Sequence, residues 1–268
     1  MRLLLVCRRG NRMHPFLHVL GRDFPMYSLC GVAGMLLAGG LAMLRRRAPR
    51  FRTPADDVLH VMLLSLVGAL VGSKVFQVIG LILTQAARPG FWTLETWKAI
   101  AYSGGVFYGG LIGGFVAAAL YIRKYKVDFW DIMDILIPSV LLFHACGRVG
   151  CFFAGCCYGR EAAWGIAFTQ SLGAPNGVPL VPVQLFEAGF NLLVMAAILL
   201  FRPERKRPGL LLPLYLMAYA AGRFVLEFFR GDTGRGILLL STSQWISLLV
   251  ILPAAIVLFA RGASANKK

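Results

Sequence analysis

The sequence is long, apolar and weakly charged. Of its 268 residues, 58% are apolar and only 15% carry a charged side chain. Soluble globular proteins have about 45–50% apolar and about 25% charged residues. The composition therefore excludes a disordered chain, a coiled coil and a soluble nucleic-acid-binding domain. It is typical of a polytopic helical membrane protein, a class in which glycine is also frequent, and this chain has 30 glycines.

The basic residues are numerous and grouped. Lys and Arg together number 28 against 12 acidic residues, which gives a formal net charge of +16. Most of the basic residues lie in short runs between apolar segments, as they do in cytoplasmic loops that face anionic lipid headgroups. This distribution indicates membrane lipids as partners, and not nucleic acid.

Seven apolar segments are long enough to cross a bilayer, which takes about 20 residues each. We therefore predict an all-α polytopic membrane protein with about seven transmembrane helices, in one domain over residues 1–268. Residues 1–23 form a basic N-terminal arm, and residues 151–181 form a small external head. The predicted spans are residues 24–44, 58–84, 104–122, 129–150, 182–201, 210–229 and 237–260.

The loop charges predict the orientation of these spans. The loops after the first, third and fifth spans contain RRRAPRFR, RKYK and RPERKR, and the C-terminal tail adds Arg261, Lys267 and Lys268. The other loops between spans carry few basic residues. By the positive-inside rule the C-terminus is cytoplasmic and the head is outside, although the basic N-terminal arm runs against this assignment.

Ionisable residues inside spans are the candidate site residues, because they usually face the interior of the bundle or an aqueous cavity. Arg148, in FHACGRVGCFFAGCCYG, requires an anion at this depth. That anion is either Glu187 or Glu227, holding helices together, or a phosphate or carboxylate ligand bound through two parallel hydrogen bonds. The candidates within or at the ends of spans are Lys74, His144, Arg148, Glu187, Arg223, Glu227 and Arg230.

Two of these sets have helical spacing. Arg223, Glu227 and Arg230 in GRFVLEFFR lie on one helical face, either as a self-paired stripe or as a cationic wall opposite Arg148. His144 lies four residues before Arg148 on another shared face. It is either a packing residue or, because a neighbouring cation favours its neutral form, a general base.

Glycines and cysteines form two further groups. The segment YSGGVFYGGLIGG (residues 102–114) indicates close helix packing, or a permissive backbone beside a site that the Tyr108 hydroxyl faces. Four of the six cysteines, Cys146, Cys151, Cys156 and Cys157, lie close in sequence without a standard zinc spacing. They serve packing, a disulfide, or metal or redox chemistry.

Six segments together resemble one known family, the prolipoprotein diacylglyceryl transferases of bacterial inner membranes. The similarity runs from about Tyr27 to the end of the last span. The segments, in the order of the family's motifs, are YSLCGVAGMLLA, GSKVFQV, SGGVFYGGLIGG, GRVGCFFAGCCYG, VPVQLFE and GRFVLEFFR.

The resemblance implies an enzyme and its substrates. Members of this family transfer the diacylglyceryl group of phosphatidylglycerol to the lipobox cysteine thiol of a prolipoprotein, forming a thioether and releasing glycerol-1-phosphate. It implies an inner-membrane protein with its active site toward the periplasm, without metal or cofactor. By position, Arg148 and Arg223 bind the lipid phosphate with Arg230 nearby. The residues that line or brace the site are Tyr27, Gly159, Gln184, Glu187 and Glu227, and Lys74 takes the place of a family arginine.

The sequence departs from the family at several positions. Tyr108 replaces the histidine often proposed as the catalytic base, and His144 is our candidate to replace it. The catalytic candidates are thus Arg148, Arg223, His144 and Tyr108. Sulfur replaces polar groups of the signature, with Cys151 in place of Asn and Cys156 in place of Glu.

Two other classes of function stay open beside the transferase. One is a thiol-redox or metal-binding membrane protein on the same scaffold, using the cysteines from Cys146 to Cys157. The other is a lipid-binding or transport protein without catalysis.

Overall fold

The structure is a computed structural model that describes residues 15–19, 22–86, 91–102, 105–205, 207–231, 236–237 and 240–265. Most of the described residues are helical, which confirms the predicted all-α class of polytopic membrane protein. Much of the predicted N-terminal arm lies outside the described residues. The helices are α1 (Met26–Arg46), α2 (Ala55–Gln85), α3 (Leu94–Tyr102), α4 (Phe107–Tyr125), α5 (Phe129–Ala154), α6 (Val183–Phe201), α7 (Leu211–Glu227), α8 (Thr242–Ile246) and α9 (Leu252–Ala265).

Six of the predicted spans each coincide with a helix, the seventh (237–260) begins in a short ribbon before its helical part, and the count of seven is not confirmed. Within the described part of the chain, five segments are long and apolar enough to cross a membrane: Met26–Arg46, Ala55–Gln85, Phe129–Ala154, Val183–Arg205 and Thr242–Ala260. The last runs through α8, a π-helical turn at Ser247–Ile251 and α9. Helices α4 and α7 are not in this set. Large apolar side chains such as Leu36 and Leu193 are more than two-thirds exposed, as on a surface that faces acyl chains.

The described residues include three short antiparallel ribbons that were not predicted, one before α1 and two between helices. They pair β1 (Phe16–Val19) with β2 (Arg22–Pro25), β3 (Glu161–Ala167) with β4 (Pro179–Leu180), and β5 (Gly236–Ile237) with β6 (Leu240–Ser241). The second ribbon lies in the predicted head, where Phe168, Ala174 and Leu180 are buried together. Such ribbons pair backbone groups in loops that the helical periodicity of the sequence does not report.

The chain forms two compact units, residues 1–50 with 133–268, and residues 51–132. In the first unit, α5, α6 and α7 share an apolar core around Ile137, Leu141, Ile198 and Leu211. This core supports the polar side chains that the same three helices carry toward their other ends.

A buried aspartate anchors one end of the first unit. Asp134 of α5 is fully buried, and its Oδ2 accepts hydrogen bonds from Arg50 Nη2 at 2.6 Å and from the Gly209 amide at 2.7 Å. Its Oδ1 accepts from the Leu211 amide at 3.2 Å, at the start of α7. Arg45 Nη2 donates to the Asp134 carbonyl at 2.9 Å. The carboxylate thus satisfies helix-start amides that would otherwise be unpaired.

In the second unit, α2 packs against α4 through glycine. A Cβ atom added to Gly72 would overlap the Gly109 carbonyl oxygen, and one added to Gly113 would overlap the Gly68 carbonyl oxygen. The backbones therefore touch, which confirms the helix-packing interpretation of the glycine-rich segment.

Candidate active site

Side chains from α5 and α7 converge on Glu187, which lies near the start of α6 and is 4% exposed. Arg148 Nη2 is 2.9 Å from Glu187 Oε1, and His144 Nε2 is 3.3 Å from the same oxygen. Arg223 Nη1, from α7, is 3.9 Å from Glu187 Oε2. The predicted shared face of His144 and Arg148 is therefore confirmed, and the carboxylate partner of Arg148 is Glu187, not Glu227.

The second carboxylate of the cluster belongs to the stripe at the end of α7. Glu227 Oε2 is 2.8 Å from Arg223 Nη2 and 3.9 Å from Arg230 Nε. Arg223 Nη2 also donates to Ser243 Oγ of α8 at 3.3 Å. The stripe is thus paired within itself, as one of the two sequence interpretations held, and it also reaches Glu187 of the neighbouring helix.

Several oppositely charged groups of the cluster lie within ion-pair distance but do not have hydrogen-bond geometry. Among the described residues, both oxygens of Glu187, Oε2 of Glu227 and Nη1 of Arg223 are buried without a hydrogen-bond partner. Buried polar groups are usually hydrogen-bonded, so each unsatisfied one requires an explanation. Guanidinium groups in this state can direct N–H groups at an incoming anion without first losing a strong bond.

His144 has two neighbours that require different protonation of its Nε2 atom. Its Nε2 lies 3.4 Å from Arg148 Nε, a donor that requires an unprotonated nitrogen. The same nitrogen is 3.3 Å from Glu187 Oε1, an acceptor that requires a proton on it. Because the two contacts need opposite protonation at Nε2, the imidazole can exchange a proton at this atom while keeping one of its two neighbours.

Backbone pairing holds the segment after α5 against the ends of α6 and α7. Gly159 forms a bridge with Arg230, and its amide donates to the Val181 carbonyl at 3.0 Å. A Cβ atom on Gly159 would press within 2.5 Å of the Val181 carbonyl oxygen, so glycine is required here. Gln184, 1% exposed, donates from Nε2 to the Cys156 carbonyl at 2.7 Å. Gly159 and Gln184 therefore brace the cluster, and their predicted substrate contacts stay predictions.

A glycine turn brings three cysteines together at the end of α5. Gly155 has a φ of 69°, and its amide donates to the Phe152 carbonyl at 3.1 Å. The Cys156 amide donates to the Cys151 carbonyl at 3.1 Å, which completes a Schellman motif. As a result the sulfur atoms of Cys151, Cys156 and Cys157 lie within 4.8 Å of one another and could hold a metal ion.

Of the four cysteines that lie close in sequence, the described structure brings together three, and Cys146 is not among them. The Cβ of Cys146 lies against Gly34 of α1. The pKa of the Cys157 thiol is lowered, because the Cys151 and Cys156 thiols donate hydrogen bonds to its sulfur and Arg230 and Arg148 add positive charge.

Three further predicted site residues lie on α1 or in the second unit. Tyr27 is half exposed at the start of α1 and packs against Gly150 of α5. Tyr108 and Lys74 belong to the second unit. Tyr108 is half exposed beside Phe107, and Lys74 Nζ donates to the Ile100 carbonyl at 2.9 Å. Their roles at the site stay predictions.

Two residues at the cluster were missed from the sequence. Ser243 binds Arg223, and the Tyr219 ring lies 5.9 Å from the His144 ring. The segment STSQW carries the signal for the first, because Ser241 and Gln244 form a capping box that starts α8 and places Ser243 in its first turn. Tyr219 lies four residues before Arg223 on the same face of α7.

Fold and cluster together define a polytopic helical membrane protein with a buried site of arginines, carboxylates and a histidine. A family model described as prolipoprotein diacylglyceryl transferase matches residues 15–260. The chain therefore belongs to the prolipoprotein diacylglyceryl transferase family.

Curated relatives cover most of the chain. It is 33% identical over 227 residues to the phosphatidylglycerol–prolipoprotein diacylglyceryl transferase of Clostridium tetani, covering 83% of this chain and 89% of the relative. It is 31% identical to transferase 2 of Clostridium perfringens, covering 87% and 91%. It is 32% identical to the enzyme of Streptococcus pneumoniae strain JJA, covering 84% and 85%.

Proposed function

We propose that this protein is a phosphatidylglycerol–prolipoprotein diacylglyceryl transferase. It transfers the diacylglyceryl group of phosphatidylglycerol to the lipobox cysteine of a prolipoprotein. A sulfur–carbon bond forms, the carbon–oxygen bond to the phosphate breaks, and glycerol-1-phosphate leaves. Family membership and the names of the bacterial relatives support this reaction. Neither favours the alternative of a thiol-redox or metal-binding protein in place of the transferase.

One observation carries the assignment of the lipid site. Arg148 of α5 and Arg223 of α7 converge on Glu187, and Nη1 of Arg223 is buried without a hydrogen-bond partner among the described residues. A phosphate has the charge and the paired oxygens that two such guanidinium groups bind. Arg148 and Arg223 therefore hold the lipid phosphate, and Glu187 positions both side chains.

The same arginines serve the chemical step. Negative charge grows on the phosphate oxygen as the carbon–oxygen bond breaks, and cations held in a low-dielectric site stabilise such charge strongly. Arg230, paired with Glu227 at the end of the same stripe, adds positive charge nearby.

A base must accept the thiol proton, and we assign His144 to this role. Its imidazole touches both Arg148 and Glu187, so a proton gained at Nε2 is stabilised by the carboxylate 3.3 Å away. Imidazole is also the side chain whose ordinary pKa is closest to neutrality.

The location in the cell completes the proposal. The protein lies in a bacterial inner membrane with its C-terminus in the cytoplasm and its active site toward the periplasm. Support comes from the basic runs in alternate loops. At the Asp134 end, Arg45 and Arg50 belong to the first of these runs, and the Glu187 cluster is carried by the opposite end of α5.

Substitution of Arg148 tests the proposed site. We expect Arg148→Ala to abolish transfer from phosphatidylglycerol to a synthetic lipobox peptide, with a loss of about 100-fold or more, because removing a charge-stabilising donor has that order of effect. Arg148→Lys keeps the charge without the paired geometry and should be partly active.

The matched control is Arg123→Ala, which removes an exposed arginine near the end of α4. It should transfer at the unchanged rate. Membrane insertion and yield are measured for all variants. Full activity of an inserted Arg148→Ala protein would contradict the assignment, and failure of the unaltered protein to complement a transferase-depleted bacterium would contradict the function.

A further inference from the structure

The three-thiol group at the end of α5 has the dimensions of a metal site. The sulfurs of Cys151, Cys156 and Cys157 lie within 4.8 Å of one another, and all three residues are half-buried. Zinc–sulfur bonds are about 2.3 Å long, so two sulfurs on one tetrahedral zinc are about 3.8 Å apart. The three sulfurs can therefore bind one ion after shifts of no more than about 1 Å.

The backbone of this group is fixed by buried partners. Gln184 holds the Cys156 carbonyl, and the Schellman turn at Gly155 returns the chain to Cys151. Cys157 adopts a left-handed backbone conformation, with a φ of 57°, which is unfavourable for a residue with a Cβ atom. Such conformations persist where the surrounding structure holds them, and they concentrate at functional sites.

The nearby charges favour thiolates bound to a cation. Three thiolates and one Zn²⁺ carry a net charge of −1, and this charge would lie within electrostatic range of Arg230 and Arg148. Positive side chains around a metal-bound thiolate set stabilise it, as outer-shell partners do in zinc proteins generally.

We propose that Cys151, Cys156 and Cys157 bind a zinc ion whose fourth position receives the sulfur of the lipobox cysteine. The inference rests on the proposed transferase function. Catalytic zinc sites characteristically have three protein ligands and one open position, in contrast to closed structural sites. The partial exposure of all three cysteines leaves that position accessible.

The zinc supplies what sulfur alkylation requires, a thiolate at neutral pH. A thiol bound to zinc loses its proton, which passes through water to His144. The thiolate electron pair then forms the sulfur–carbon bond, the carbon–oxygen bond breaks, and the phosphate oxygen keeps the bonding electrons. Zinc stays in the same oxidation state throughout. The neutral thioether product binds zinc more weakly than a thiolate does, so the modified peptide leaves.

The proposed phosphate site and the proposed metal site are adjacent because α5 carries residues of both. Arg148 lies three residues before Cys151, so the two side chains occupy neighbouring positions on one helical face. The phosphate held by Arg148 and the sulfur held by the metal would thus meet without rearrangement of the helix, which is the condition for an efficient displacement.

The test measures metal binding apart from lipid transfer. The full chain is purified in detergent, stripped with a chelator, reloaded with zinc chloride and analysed by mass spectrometry for metal. We expect one tightly held zinc per unaltered chain, and the same for Cys30→Ala and Cys146→Ala, which remove cysteines outside the group. Cys151→Ala and Cys157→Ala should hold none.

Cobalt substitution tests the open position. The Co²⁺ protein should show sulfur-to-cobalt charge-transfer absorption, and a lipobox peptide with cysteine should increase it. The same peptide with serine in place of cysteine should leave it unchanged.

The failures of the two proposals are distinguishable. Absence of zinc from the unaltered chain, a disulfide within the group found by thiol alkylation and mass measurement, or full transfer by the metal-free protein would each overturn the zinc inference and leave the transferase function standing. Metal and thiol binding as expected would support the zinc site even if phosphatidylglycerol were not consumed, and that result would overturn the function instead.

Discussion

At the scale of single residues, Glu187 makes the most contacts with the other charged side chains of the arginine cluster. Its carboxylate faces Arg148 from α5 and Arg223 from α7, although neither contact of its oxygens is a directed hydrogen bond. A buried carboxylate held this loosely can give up its guanidinium partners to a phosphate. The proposed binding of the lipid phosphate would therefore need an exchange of partners by the two arginines and no rearrangement of the helices.

The base assignment makes a prediction at this scale. We expect His144→Ala to lower the transfer rate by about 100-fold or more, the usual contribution of a general base. Tyr108→Phe should change it by less than about 10-fold, since a phenol is a far weaker base than imidazole at neutral pH. Rates are compared on lipobox peptide at saturating phosphatidylglycerol. The reverse ranking would reject His144 as the base.

At the scale of elements, the contact of α2 with α4 depends on bare backbone. The carbonyl oxygens of Gly68 and Gly109 occupy the space where Gly113 and Gly72 would carry a Cβ atom. Small residues allow such close approach between membrane helices, where packing replaces the hydrophobic effect as the main attraction.

Two substitutions in α2 test this contact as a matched pair. Gly72→Ala should lower the free energy of unfolding by about 1–3 kcal/mol, because the methyl group meets backbone that cannot move aside. Gly80→Ala adds the same methyl group where no atom lies within 4 Å, and the higher helix propensity of alanine should leave stability equal or improved. Thermal unfolding in detergent measures both, and equal losses for the two variants would refute the contact.

On the scale of the whole molecule, polar groups hold both ends of the three-helix core in the first unit. Asp134 joins α5 to the start of α7 and to Arg50 after α1, and Glu187 joins α5, α6 and α7. The apolar core around Leu141 and Leu211 is formed by the same three helices. Apolar packing alone specifies little about how one helix rotates or shifts along its neighbour. The contacts of Asp134 and Glu187 therefore help to select which faces of these helices meet.

Removing the Asp134 carboxylate should therefore destabilise the protein without changing the residues of the Glu187 cluster. We expect Asp134→Ala to cost about 3–5 kcal/mol, because the substitution removes the buried partner of an ion pair and takes the acceptor away from buried helix-start amides. Glu161→Ala, which removes an exposed acid from β3, should cost little. The thermal midpoint in detergent is the readout, and an unchanged midpoint for Asp134→Ala would show that the network carries no net stability.

Much of the fold could be predicted from sequence because membranes demand long apolar helices. Six of the seven predicted spans fall on a helix, and the faces that carry His144 with Arg148 and Arg223 with Glu227 were assigned from spacing alone. The seventh, 237–260, begins in the ribbon of β5 and β6. The capping role of Asp134 was not predicted, because it depends on hydrogen bonds between residues far apart in the chain. The short ribbons were not predicted, because helical periodicity does not report backbone pairing in loops.

Composition, periodicity and motif order are local properties of the chain, so they were enough to predict the class of protein, its family and the charged groups within the helices. The pairing of Arg148 with Glu187, and the separation of Cys146 from the three cysteines that meet, became evident from the fold alone. Partner choice depends on how helices rotate against one another and where a turn such as Gly155 redirects the backbone, and these are settled by packing of the whole chain.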